Sequence, residues 1–217
     1  YYSFRARYAQ MVDRNFGGRR VQIVGSYRRL PELTEKLDKF SYRVLKEDCL
    51  DLPEKVFTKR HVELTKEQEK VYREMKHMAI AELNGGVMST MNVMTQLMRL
   101  HQITCGHFKA DDGKVTHLKN NRVEALMDLL EETEGKVIIW ANYREDIKNI
   151  VEKLKKAYGD DSTVEYHGSV DPRVRQEQIA LFQQKNGPTR YFVGNPQTGG
   201  YGITLTAAST VIYYSNS

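Results

Sequence analysis

Residues 120–217 predict a doubly wound α/β domain, and three observations carry that prediction. Apolar runs of strand length alternate with amphipathic helical stretches, the connections between them are short, and the strand runs show no polar alternation. Short strand-to-helix connections imply parallel strands joined by right-handed crossovers, with helices on both faces of the sheet. Continuous apolar runs are what strands buried on both faces require. A mainly helical region precedes this domain.

The elements follow in order. Helical stretches are expected near Phe4–Val12 and Leu30–Lys39, and "DLPEK" marks a boundary at Pro53, because the residue before proline is driven out of helical geometry. "KVFTKRHVEL", residues 55–64, reads as a β-rich run. Residues 65–105 are rich in helix formers and broken by "NGG" at 84–86, which predicts two or three helices. Met88, Met91, Met94 and Met98 there are expected to serve as adaptable core packing. Val123, Leu126, Met127 and Leu130 fall at i, i+3, i+4 and i+7 and form one stripe of a helix that Gly135 stops. After it come a strand at "KVIIWAN", a helix burying Ile147, Ile150, Val151 and Leu154, and a strand at "STVEYHG". A helix from Asp171 to Lys185, a strand at "TRYFVGN", a glycine-dense loop and a strand at "STVIYYS" complete the series.

With 217 residues, 40% of them hydrophobic, the chain buries a sizeable core. Its longest apolar run, Val137–Ala141, is far short of the roughly 20 residues a membrane helix needs, so no membrane partner is expected. The excess of 33 basic over 28 acidic residues leans toward a polyanionic partner on an otherwise mixed surface. Arg5, Arg7, Arg14, Arg19, Arg20, Arg28 and Arg29 crowd the first 30 residues. Two cysteines, Cys49 and Cys105, are too few for a disulfide framework or a zinc site, so a reducing, intracellular setting, cytoplasmic or nucleoid-associated, is expected. His101, Cys105 and His107 in "HQITCGHF" have no fourth ligand nearby, and no metal site is expected there. The chain opens on Tyr1 rather than Met and is expected to be a piece of a longer protein.

In an open parallel sheet, ligands bind beyond the carboxyl ends of the strands. The residues just past those ends are Asn142 and Tyr143, His167 and Gly168, Asn195–Gly202, and Ser215–Ser217. Gly199, Gly200 and Gly202 allow positive φ and bring bare amides close to an anion, between Thr198, Tyr201 and Thr204, so this loop is the candidate phosphate face. No G-x-x-x-x-G-K-[ST] loop and no Asp-Glu pair after an apolar run occurs, so the chain is not expected to cradle ATP by itself. Neither a Ser-His-Asp order nor paired carboxylates stand out, and no residue is assigned as catalytic.

The order "NNRVEALMDLLEETEGKVIIWANYREDIKNIVEKL", "YHG", "RQEQIALFQ" and "GGYGITLTAASTVIYYS" resembles the second RecA-like lobe of superfamily 2 helicases, and among them the SNF2 family of DNA translocases. "FSYRVLKEDCLDLPEK", "VELTKEQEKVYREM" and "LMRLHQITCGHF" resemble the SNF2-specific segments between the lobes. The resemblance implies residues 1–52 as a helical segment from the first-lobe side and 53–118 as a linker strand with the helical insertion. Residues 119–217 would be the second RecA-like domain, ending before motif VI. The glycine loop then looks like motif V. Gly200, Gly202 and Thr204 would approach ATP, while Asn142, Tyr143, His167, Gly168, Arg175, Thr198 and Gly199 would face the DNA backbone. A phosphate contact suits Arg175, for which a surface ion pair is the alternative, and His167 reads equally as a satisfied strand-end residue. Thr204 stands where the family usually has Asn, Asn195–Pro196 replaces Ser-Thr, His101 replaces an Arg, and Val44 replaces the second Arg after Arg43.

The implied function is ATP-driven translocation on double-stranded DNA. ATP and Mg²⁺ would be held mainly by the first RecA-like lobe, and this segment alone would be inactive because Walker A, Walker B and motif VI are absent. Another superfamily 2 lobe, such as that of a DEAD-box RNA helicase, is one alternative, and a non-enzymatic nucleic-acid-binding module with this fold is another.

Overall fold

A computed structural model describes the chain except for residues 46–50, 52–53, 85–89, 111–112, 201 and 217, and without the side chains of 82–84 and 90–92. Cys49, Pro53, Gly85, Gly86, Met88, Tyr201 and Ser217, and the side chain of Met91, therefore lie outside the described residues. The chain divides into two compact units, Tyr1–Lys59 and Arg60–Ser217.

The first unit corrects an expectation. Helix α1 (Tyr2–Tyr8) stops at Tyr8, and strand β1 (Ala9–Phe16) takes the place of a helix continuing to Val12. β1 pairs antiparallel with β2 (Arg19–Tyr27), and α2 (Leu30–Leu37) follows. The signal is Gly17–Gly18, whose φ values of +56° and +83° make the two-residue turn that a twisted hairpin demands. That turn lets Val12 and Ile23 pair across the ladder, and a helix through the same residues could not make this pairing.

The second unit begins with two helices, α3 (Lys66–Asn84) and α4 (Thr90–Cys105). A reciprocal cap starts α3: the Gln68 amide N–H donates to Thr65 Oγ1 (3.2 Å), and the Thr65 N–H donates to Gln68 Oε1 (3.0 Å). The run before it, expected to be a strand, carries no strand among its described residues. Its backbone is held by side chains instead, Asn121 Nδ2 donating to the Glu63 carbonyl at 3.1 Å. The methionines also depart from expectation, since Met94 and Met98 are 64% and 48% exposed. The half-buried stripe of α4 runs through Val93, Gln96 and Leu100, which leaves those two on the opposite side, and full burial begins only at Gln102 and Ile103. A small ribbon of β3 (His107–Lys109) and β4 (Val115–His117), which the sequence did not announce, leads into the sheet domain.

That domain is the predicted one. Helix α5 (Arg122–Glu131), β5 (Lys136–Trp140), α6 (Arg144–Tyr158), β6 (Thr163–Tyr166), α7 (Pro172–Gln183), β7 (Tyr191–Gly194), the short helix α8 (Pro196–Gly199) and β8 (Ala208–Tyr213) alternate along the chain. The four strands are all parallel, in the order β6-β7-β5-β8. Successive residues of β5 face opposite ways. Val137 and Ile139 join Leu126 and Leu130 of α5, Ile147, Ile150 and Leu154 of α6, and Tyr191 and Val193 in one core. Ile138 and Trp140 join Val164, Tyr166, Phe192 and Phe182 of α7 in the other. Helices therefore lie on both faces and bury β5 and β7 between the two cores, whereas β8 at the sheet edge departs from the expectation of strands buried on both sides and leaves Val211 and Tyr213 exposed on one face.

Candidate functional site

Parallel pairing puts the ends of all four strands on one edge, and hydrogen bonds knit the residues just beyond them. The ladder runs one step further through Ala141 N–H to the Gly194 carbonyl, Asn195 N–H to the Tyr166 carbonyl and Tyr214 N–H to the Trp140 carbonyl, each 2.9 Å. Asn195 Nδ2 donates to the Asn142 carbonyl at 2.8 Å, and the Asn142 N–H donates to Ser215 Oγ at 2.8 Å. Gly168 and Thr198 are neighbours on this edge, because a Cβ at Gly168 would lie 3.9 Å from Thr198 Oγ1. His167 is half-buried and locally satisfied: its Nδ1 accepts from the Ser169 N–H at 3.3 Å and its Nε2 lies 3.7 Å from Glu165. Arg175 sets its guanidinium 5.6 Å from the Tyr166 ring, and its buried Nε has no hydrogen-bond partner. An interior donor without a partner costs free energy unless something satisfies it, which singles Arg175 out among the predicted residues.

The glycine loop is built differently from the expectation. Gly199 and Gly200 do not have positive φ; only Gly202 does, at +78°. The amides of Gln197, Thr198, Gly199 and Gly200 are not bare, since they donate to Asn195 Oδ1, the Asn195 carbonyl twice, and the Pro196 carbonyl. Asn195 caps a single helical turn, which consumes the donors. The physical demand for glycine at 199 is close approach, because a Cβ there would meet Trp140 Cη2 at 2.7 Å. Gly200 and Gly202 are exposed. Thr204 is exposed as well, but its carbonyl accepts from Gln183 Nε2 (2.9 Å), and Gln183 Oε1 accepts from the Ala207 N–H (2.8 Å). Because α7 runs back from the carboxyl edge and β8 starts at the opposite one, Thr204 and Gln183 sit away from Asn142 and Asn195 along the strand direction. Gln183, which staples this loop, closes the stretch "RQEQIALFQ", but sequence reasoning did not single it out there.

Sequence reasoning also missed a buried polar cluster beside Tyr143. His101 Nδ1 and Tyr143 Oη share a hydrogen bond of 2.8 Å, and the rings of Tyr143 and His107 meet edge to face at 5.3 Å. Next to them lie Asp146, 1% exposed, and Ser215, 2% exposed. Arg122 Nη1 donates to the Tyr214 carbonyl at 2.9 Å and approaches Cys105 Sγ at 3.4 Å. Burial pushes the Tyr143 hydroxyl and the Cys105 thiol up to about 12, so both stay protonated. Burial, seconded by the Arg122 charge, lowers His101 below the ordinary imidazole value and keeps its ring neutral near pH 7. The readable clue was an aspartate next to Ile147 and four residues before Ile150, on the apolar stripe of α6.

Among the described residues, no three His, Cys, Asp or Glu side chains come together in a way that could hold a metal ion. Among the described residues, the engaged amides of Gln197–Gly200 do not offer a cradle for a triphosphate. A cleft of about 370 Å³ between Arg60–Glu63 and Asn121–Asp128 contains none of the predicted site residues. No helix among the described residues is long and apolar enough to cross a membrane.

Two family models match. Residues 2–109 match an SNF2-related domain, and residues 121–217 match the helicase conserved C-terminal domain. The chain is 26% identical over 200 residues, 86% of its length, to a putative ATP-dependent helicase/translocase, YwqA, of Bacillus subtilis, of which that covers 21%. It is 26% identical over 212 residues, 92% of its length, to an uncharacterized ATP-dependent helicase of Mycoplasma genitalium, of which that covers 20%. The chain thus spans about a fifth of the curated relatives it matches. Its fold resembles the Sulfolobus solfataricus SWI2/SNF2 ATPase core domain, with TM-score 0.63 and 23% identity over 86% of this chain and 40% of that one. The C-terminal domain of a Sulfolobus solfataricus SWI2/SNF2 ATPase is similar at TM-score 0.58 and 22% identity, over 70% of this chain and 68% of that one.

Proposed function

We infer that this chain, which belongs to the SNF2-related helicase family, is the second RecA-like lobe and helical insertion of an ATPase that translocates along double-stranded DNA. The observation that carries the inference is the convergence of four parallel strand ends on one edge, inside the segment that matches the helicase C-terminal domain. Asn142, Tyr143, His167, Gly168, Arg175 and Thr198 form the side assigned to the DNA backbone, with Gly199 buried behind it against Trp140. Gly200 and Gly202 form the side assigned to the nucleotide, while Thr204, held by Gln183, lies away from that edge. Bound between two lobes, ATP with Mg²⁺ would supply the free energy of stepping. This chain contributes a closing surface, and the first RecA-like lobe is the partner that brings the triphosphate site. Arg175, half-buried in the first turn of α7, is the residue proposed to hold a backbone phosphate. An SNF2-related match over residues 2–109 favours this reading over a DEAD-box RNA helicase lobe. The setting is intracellular, in the cytoplasm or at the nucleoid.

Two measurements test it. Labelled duplex DNA titrated with the chain at several salt concentrations is expected to bind without sequence preference and to weaken steeply with salt. Arg175→Ala is expected to lower the salt slope by about one. With saturating DNA, the chain alone is expected to show no ATP turnover. Turnover by the chain alone, or binding that follows base sequence and ignores salt, overturns the reading.

A further inference from the structure

The buried cluster beside Tyr143 has a direction. Asp146 Oδ2 accepts from the Ser215 hydroxyl at 3.0 Å, and Ser215 Oγ accepts from the Asn142 N–H at 2.8 Å. The Asn142 carbonyl accepts from Asn195 Nδ2 at 2.8 Å, and Asn195 Oδ1 caps the turn that opens the glycine loop, 2.9 Å from the Gln197 amide nitrogen. At the other end, Asp146 Oδ1 faces His107 Nδ1 at 3.3 Å, within ion-pair range though outside hydrogen-bond geometry. His107 opens β3, directly after the last helix of the insertion. An unbroken series of polar contacts therefore runs from the insertion, through a carboxylate that is 1% exposed, to the loop.

A carboxylate in this position costs desolvation free energy that a leucine on the same stripe of α6 would not. Stability alone does not account for it, and its Oδ2 accepts from Ser215, a group that in turn holds the Asn142 N–H. We propose that Asp146 and Ser215 are positioning residues that fix the Asn195–Gly200 turn against the carboxyl edge and tie its placement to the helical insertion through His107. Neither touches a ligand. The functional meaning rests on the reading that this loop faces nucleic acid and nucleotide, whereas the mechanical statement does not. A shift of the insertion at His107 would reach the loop by way of Asp146, Ser215, Asn142 and Asn195, each joined to the next by a contact no longer than 3.3 Å.

Amide hydrogen exchange of the full 217-residue chain tests the proposal. Ser215→Ala removes the acceptor for the Asn142 N–H, and Asp146→Asn keeps the shape while deleting the charge. In both variants the amides of Gln197–Gly200 are expected to exchange about tenfold to a hundredfold faster, as for loss of one charge-assisted hydrogen bond, with Ile150–Leu154 unchanged. Ser215→Thr, which keeps the hydroxyl, is expected to restore protection. A merely structural role would raise exchange in loop and core alike. That outcome, or an unchanged loop, or failure of Thr to rescue, overturns the proposal. If the loop loosens and duplex DNA affinity stays at the unsubstituted value, the positioning role stands and the DNA-facing reading of the loop fails.

Discussion

Gly199→Ala is the substitution on which the packing account of the glycine loop can be decided. Gly199 is buried at the end of a helical turn and needs no positive φ, so backbone preference alone would make alanine stabilising by about 0.5–1 kcal/mol. Space argues the other way. The new methyl would lie 2.7 Å from Trp140 Cη2, 2.9 Å from Cζ3 and 3.3 Å from Ile203 Cδ1, where unstrained carbons stay about 3.5–4 Å apart. The indole has little room to yield: it is 8% exposed, meets Phe192 edge to face at 5.9 Å, and already leaves no space for a Cβ at Gly194, which would sit 2.9 Å from Cζ3. Overpacking by one methyl costs about 1–3 kcal/mol, so the net loss lies between about 0 and 2.5 kcal/mol, centred on about 1 kcal/mol. For a domain of this size each kcal/mol moves Tm by about 2–4 °C. Trp140 is the only tryptophan in the chain, so its fluorescence reports the local change while a urea titration followed at the same wavelength gives the stability. A lower urea midpoint with altered emission is expected. A midpoint at or above that of the unsubstituted chain, with unchanged emission, would refute the close-approach argument and return the glycine to a role in flexibility or ligand contact.

Two further outcomes follow from the charges. In the first unit, Lys36 and then Arg7, both hydrogen-bonded to Glu32, lower its carboxyl to about 2 from an ordinary 4.5. The folded form therefore binds its proton more weakly than the unfolded chain, and the stabilisation is present above about pH 4.5 and lost as pH falls toward 2. An NMR titration of the Glu32 side chain is expected to place its midpoint well below those of exposed glutamates, with Glu32→Gln removing the matching acid-side loss of stability; an ordinary midpoint would contradict the ion-pair geometry. Cys105, 3% exposed and pushed up to about 12 by burial and next by the Asp146 charge, is expected to resist iodoacetamide near neutral pH while the chain is folded and to alkylate readily in urea. Fast alkylation of the native thiol, read by peptide mass, would show that the cluster around it opens to solvent.

What the linear order of residues determined is the sheet domain and its edge. Apolar runs at β5 and β7, helical stripes at α5 and α6, and connections too short for anything but crossovers leave one arrangement, because each pattern reflects a periodicity local to a few residues. Asn142, His167, Gly168 and Asn195 follow from it as strand-end residues. The hairpin at Gly17–Gly18 was legible too, through the turn its paired glycines make, and was lost to the helix-like spacing around it. Other features had no local signature. Whether the amides of the loop are free depends on Asn195 closing a helical turn over them, and whether Gly199 serves phosphate or indole depends on where Trp140, some sixty positions earlier, lays its ring. Met94 and Met98 share a composition with core residues, yet the side of α4 they occupy is set by which stripe the core takes. The relay from His107 to Asn195 joins residues from four separate stretches of chain. Only folding brings such groups within hydrogen-bond distance, since interactions that decide by a few tenths of an ångström between residues far apart in sequence leave no periodic trace in it.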